Sequence, residues 1–205
     1  DLRDSIYGSN EEKQGSWKAT GWLEGDEVLL VGGGPSVKEY KDKIIKHLKN
    51  SSIKVIFINI NEYLSSEIGI ATVVSHEMRA LLDSSKYKEL KHPLILPMKS
   101  LGKKIQEDIK DLDIYDYGLN LLENSFLIKP NSTSLNWQLS AAYALAICTQ
   151  AGVKKINLVG FDGYDKEDMR FNEMEEVILK YKSLESAVEL FSLTPTLFNL
   201  QEDLL

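Results

Sequence analysis

Cysteine, histidine and long apolar runs are scarce in this chain, and each shortage removes a class of function. A single cysteine, Cys148, allows no internal disulfide. It sits in a small-residue helical pattern, where it reads as a buried apolar side chain, as suits a reducing cytoplasm. Three histidines and no Cys/His cluster exclude a zinc site of the usual spacing. The longest apolar run, around 140–147, falls well short of the roughly 20 residues that span a bilayer, and no signal peptide opens the chain. The expectation is a cytoplasmic protein with no membrane partner. Basic residues are also in deficit, 24 Lys and Arg against 31 Asp and Glu for a net charge of −7, and the lysine pairs are scattered. Such a surface offers no field for a phosphate backbone, so nucleic acid is not expected as a partner. There is no Gly-x-Ser-x-Gly elbow of a hydrolase and no internal repeat.

What is there suits one α/β domain: 205 residues, 43% of them hydrophobic, enough to bury a substantial core. The first residue is Asp1 rather than a methionine, which leads us to expect a C-terminal piece of a longer protein. Residues 1–25 are polar and carry Gly8, Gly15, Gly21 and Gly25, so they read as a linker or lead-in, with Trp17 and Trp22 available to pin it. Residues 26–205 then alternate strand and helix patterns. Apolar, β-branched runs at 27–31, 53–60, 70–74, 94–96, 125–128 and 155–160 read as strands, with a last strand at 193–196. Helical spacing marks 36–48, 77–90, 101–112, 135–151 and 171–191, the fourth rich in alanine. Short apolar strands alternating with helices imply βαβ units, hence a Rossmann-like three-layer sandwich with a mainly parallel sheet.

Ligands of such sheets lie beyond the carboxyl ends of the strands, which directs attention to the loops there. After the first strand come Gly32, Gly33 and Gly34, then Pro35 and Ser36. Three glycines remove every Cβ from the turn, so a phosphate can approach the backbone amides and the positive end of the next helix. Ser36 is placed to cap that helix and to offer its hydroxyl to a phosphate oxygen. The motif is neither the dinucleotide fingerprint nor a Walker loop, and a tight structural turn is the plainer alternative. At the second strand end, Asn59 and Asn61 are candidates to position a nucleoside, or simply cap the turn. His76 lies at the third strand end and is the candidate general base, although a lone histidine more often has a structural role. Asp162 and Asp165, beside Gly160 and Gly163, are candidates to handle an acceptor hydroxyl or to hold Mg²⁺, with Asp162 as the metal ligand, and the same carboxylates also suit a solvated turn. Ser132, Thr133 and Ser134 form a polar loop before the alanine-rich helix and are the remaining candidates for ligand binding.

Residues 28–36 together with 131–164 resemble the Rossmann-like domain of archaeal-type 6-hydroxymethylpterin diphosphokinases and related motility-accessory and surface-glycan proteins. That resemblance is carried by Val31-Gly32-Gly33-Gly34-Pro35-Ser36, by Ser132-Thr133-Ser134 ahead of the alanine-rich helix, and by Lys155-Ile156-Asn157-Leu158-Val159-Gly160-Phe161-Asp162. The Gly-x-Gly-Pro-Ser turn is also similar to that of bacterial sialyltransferases that bind a cytidine nucleotide-sugar. In addition, the run 28–40 and the ending Gly160-Phe161-Asp162-Gly163-Tyr164 resemble domains appended to aldolase-like barrels in bacterial surface-polysaccharide gene sets. What these resemblances imply is a nucleotide- or nucleotide-sugar-binding domain of a transferase, diphosphokinase-like or glycosyltransferase-like. Their alternative implication is a non-catalytic accessory domain following the barrel of an aldolase, a lyase.

Overall fold

The computed structural model describes residues 11–205. Its centre is β1 (Glu27–Val31), and the burial of β1 explains the architecture. Successive side chains of a strand point to opposite faces, and in β1 both sets are buried. Val28 and Leu30 enter one apolar cluster with Ile56, Ile58, Ile156 and Leu158. Leu29 and Val31 enter a second with Val55, Phe57 and Val159. A strand buried on both faces belongs in the middle of a parallel sheet covered by helices on each side.

The sheet has eight strands, ordered β11-β10-β9-β1-β2-β3-β4-β5, and every neighbouring pair is parallel. They are β2 (Lys54–Ile58), β3 (Gly69–Val73), β4 (Leu94–Leu96), β5 (Ile114–Asp116), β9 (Lys155–Val159), β10 (Leu190–Ser192) and β11 (Gln201–Glu202). Helices α1 (Ser36–Glu39), α2 (Lys41–Lys49), α3 (Glu77–Asp83), α4 (Lys103–Ile109), α5 (Ser140–Gln150) and α6 (Met169–Lys182) flank it, making an α/β three-layer sandwich. The alanines of α5 let it lie close against the sheet, and seven of its eleven residues are buried. A small second sheet, ordered β6-β8-β7, comprises β6 (Gly118–Leu121), β7 (Phe126–Lys129) and β8 (Ser132–Leu135).

Several boundaries differ from expectation for identifiable reasons. The first helix breaks at Tyr40 into α1 and α2. Pro35 holds its N-cap position and Ser36 is already its first residue, so Ser36 makes no side-chain cap. The polar stretch Ser132-Thr133-Ser134 is strand β8 rather than a loop, because partners on both sides satisfy it in the second sheet. Accordingly α5 begins at Ser140 instead of Leu135. The last helix stops at Lys182, and the strand after it is Leu190–Ser192 rather than 193–196.

Residues 11–25 of the lead-in are bonded into the domain. Trp17 N–H donates to Asp116 O at 2.9 Å, Ala19 N–H to Pro130 O at 2.8 Å and Leu23 N–H to Ala151 O at 3.0 Å. Trp17 stacks on Tyr115 with ring centres 4.8 Å apart, and Trp22 meets Trp17 edge-on. Among the described residues no helix is long and apolar enough to cross a membrane.

From β1 the chain moves to β2 on one side, and from β9 it moves to β10 on the other. The order therefore reverses between β1 and β9, and a crevice opens at their carboxyl ends, where open α/β sheets bind ligands.

Candidate functional site

A cleft of about 610 Å³ occupies that crevice. Its floor is the glycine turn after β1 and the Gly160–Gly163 loop after β9; its walls come from residues 58–60, the start of α5, Arg79 and Arg170.

The three glycines of the turn have three different environments. A Cβ on Gly32 would meet Gly160 O at 2.6 Å, and one on Gly34 would meet Asp162 Oδ1 at 2.6 Å, so packing requires glycine at both. At Gly33 nothing lies within 4 Å of the Cβ position. The amides divide in the same way. Gly32 N–H donates to Val159 O at 2.8 Å and Gly34 N–H to Gly160 O at 2.9 Å. Ser36 N–H donates to Asp162 Oδ2 at 2.8 Å, and Pro35 has no N–H to give. Gly33 N–H alone makes no hydrogen bond among the described residues.

Asp162 is thus turned inward. Its second oxygen accepts the Ser36 hydroxyl, and that hydroxyl lies 3.0 Å from Thr194 Oγ1, which in turn accepts Gly160 N–H at 3.2 Å. A serine hydroxyl has one proton to donate and here it goes to the carboxylate. The Asp162 carboxylate therefore sits where α1 begins, and Ser36, buried, is committed to it. Each Asp162 oxygen thus accepts one hydrogen bond from Ser36. The described residues contain no group of three or more His, Cys, Asp or Glu arranged to hold a metal.

The other candidates divide between cleft and scaffold. Asn59 lines the cleft in a left-handed conformation, φ 61°, which is uncommon for a residue with a Cβ. Its buried Oδ1 has no hydrogen-bond partner. Asn61 braces the turn from behind: its Nδ2 donates to Gly32 O at 3.1 Å while Oδ1 accepts Tyr63 N–H and Leu64 N–H at 2.9 and 3.0 Å. His76 is exposed and caps α3 by accepting Met78 N–H on Nδ1 at 3.2 Å, and it does not line the cleft. Asp165 is also exposed and off the cleft lining. Ser132, Thr133 and Ser134 are buried in β8, where Thr133 Oγ1 donates to Leu127 O at 2.7 Å, and none of the three reaches the cleft.

Sequence reasoning missed the cations. The chain has three arginines among its 24 basic residues, and the two in the described part, Arg79 and Arg170, both line this cleft, which no lysine lines. That scarcity was the available signal. Arg170 rests over the Tyr164 ring at 4.4 Å and pairs with Asp168, the N-cap of α6. The Arg170 guanidinium holds the Asp168 carboxyl down at about 2. Also missed was the start of α5. Ser140 and Ala141 open on the cleft, and this first turn has neither an acidic residue nor a side-chain cap. Chemically, the arrangement combines one free turn amide, an uncapped helix start and two guanidinium groups, all suited to an anion. Comparison with protein-family models, curated proteins and solved structures finds no match to this chain.

Proposed function

We propose that the cleft binds a nucleotide or nucleotide-sugar, and that the domain serves a transferase of diphosphokinase-like or glycosyltransferase-like chemistry. The observation that carries this reading is Gly33. It is held between two glycines that packing requires, its own Cβ position is open, and its N–H has no partner among the described residues. A backbone bare on one side and free to donate is what a phosphate oxygen needs. Asn59, at the neighbouring strand end, also lines the cleft. In a transferase this chain would act by positioning and by charge stabilisation.

A second reading is favoured by the position of His76, the candidate general base, which lies off the cleft lining. On that reading the domain is a non-catalytic accessory module of an aldolase-like enzyme of surface-polysaccharide biosynthesis. One experiment covers both. Nucleotides and nucleotide-sugars are screened by thermal shift and isothermal titration against wild type and Gly33→Val, since specific binding raises the unfolding midpoint by mass action. The valine should leave the fold intact and weaken binding at least tenfold; unchanged affinity would remove the turn from the site. Nucleotide release in the presence of pterin and sugar acceptors then separates transferase from module. Turnover that survives His76→Ala would agree with the place of His76 outside the cleft.

A further inference from the structure

The chain is acidic and uses lysine for nearly all its positive charge: with three arginines among 24 basic residues, 21 are lysine. Lysines are distributed over the exterior, and none lines the cleft, yet both arginines of the described residues do. Guanidinium is the group chosen where a flat, two-pronged donor must meet two oxygens of one anion, whereas ammonium serves as a solvated point charge. The two guanidiniums are also held differently. Arg79 projects from α3, with its Nε 2.8 Å from Oδ2 of Asp83, a carboxylate that is only 4% exposed and also lies 3.2 Å from Lys86 Nζ. The contact with Arg79 is an ion pair off the N–H axis rather than an aligned hydrogen bond. It engages the Nε side of the guanidinium and leaves Nη1 and Nη2 with no bond among the described residues. Arg170 engages Asp168 through Nε and Nη2, at 3.0 Å between Nε and Oδ1, rests 4.4 Å above the centre of the Tyr164 ring, and leaves Nη1 without a bond among the described residues.

We infer that Arg79 and Arg170 recognise a diphosphate in this cleft, so that its ligand is a nucleoside diphosphate or a sugar-linked nucleoside diphosphate rather than a nucleoside monophosphate. The inference rests on the cleft being a nucleotide site and names the part of the ligand that two guanidiniums can read. Two cations on separate elements, α3 and the start of α6, match an anion with two charged centres. The free Gly33 N–H, on the lining of the same cleft, supplies a further donor that carries no net charge. A monophosphate would satisfy one guanidinium and leave the other facing solvent.

The test uses isothermal titration of the whole chain with inorganic pyrophosphate, inorganic phosphate, cytidine diphosphate and uridine diphosphate-glucose. The proteins are wild type, Arg79→Gln, Arg170→Gln, the double variant and Arg79→Lys. Lys86 still compensates Asp83 in Arg79→Gln, and Arg170 contacts no buried group, so both variants should fold, as circular dichroism would verify. Wild type should bind pyrophosphate at least tenfold more tightly than phosphate. Each single variant should lose tenfold or more for pyrophosphate and for both nucleotides, and Arg79→Lys should recover only a small part of the loss. Equal pyrophosphate affinity in wild type and double variant overturns the assignment. If the double variant keeps wild-type affinity for the nucleotides while Gly33→Val abolishes it, the nucleotide cleft stands and only the role of the arginines falls. If wild type binds neither pyrophosphate nor any nucleotide, both readings fall together.

Discussion

Three adjacent glycines that look equivalent in sequence have separate tasks, and substitution distinguishes them. Gly34→Ala should destabilise the protein by roughly 1–3 kcal/mol, the usual range for forcing a methyl into a filled site, because its Cβ would lie 2.6 Å from Asp162 Oδ1 and 2.7 Å from Gly160 O. Gly33→Ala should leave the urea midpoint within experimental error, since its Cβ meets nothing. Asp162→Ala removes the acceptor of Ser36 N–H and of the Ser36 hydroxyl. A loss of about 1.5–3 kcal/mol is expected even if only one bond to a charged group counts. Denaturant unfolding of the three variants checks all of this. The motif around residues 32–36 made the place of the cleft legible. It could not show that the partner of Ser36 is a carboxylate 126 residues away. Nor did the sequence reading recognise that an arginine is informative in a chain that otherwise uses lysine.

Secondary elements were legible wherever short apolar runs set them, as in β1, β2 and β9, whose side chains fill both faces of the sheet. Strand β8 was not, because three of its four residues are Ser or Thr, and their burial is made tolerable by tertiary partners such as Leu127 O. His92, just before β4, shows a consequence at this scale. Its Nε2 lies 2.8 Å from Thr72 Oγ1 of β3 and its ring stacks on Phe57 of β2. Burial holds its imidazole below the ordinary value of 6.5. As the pH falls, the unfolded chain therefore takes up this proton before the folded one does. Stability from this group is complete above about pH 6.5 and declines as the pH drops through the lowered folded value. Urea midpoints measured from pH 7.5 to 5 should fall, and His92→Gln should flatten part of that slope. In α5, burial pushes the Cys148 thiol up to about 12. Iodoacetamide should thus leave native protein unmodified and alkylate it fully in urea.

For the molecule as a whole, strand and helix alternation in the sequence was enough to imply the parallel three-layer sandwich. The small second sheet and the docking of residues 11–25 were not legible, because both depend on side chains meeting across long separations, such as Trp17 on Tyr115. An acidic chain that gathers its described arginines in one cleft should also respond to salt. Pyrophosphate affinity should fall as sodium chloride rises from 50 to 500 mM, in proportion to screening of a partly exposed site, while the urea midpoint changes little. Titration at four salt concentrations measures the effect, and an affinity independent of salt would count against an ionic ligand.

The place of β1 between β2 and β9 also sets a timetable for synthesis. β1 can pair with β2 as soon as the two have left the ribosome, but Val31 must wait for Val159 before its other edge is covered. Until then a strand with four consecutive apolar residues presents an open edge, the kind that recruits other chains. The acceptors of Gly34 N–H and Ser36 N–H, Gly160 and Asp162, are translated at the same late moment. The cleft is consequently among the last features to appear. A chain halted after residue 150 should be retained by chaperones or precipitate, and should fail to bind any nucleotide that the finished chain binds.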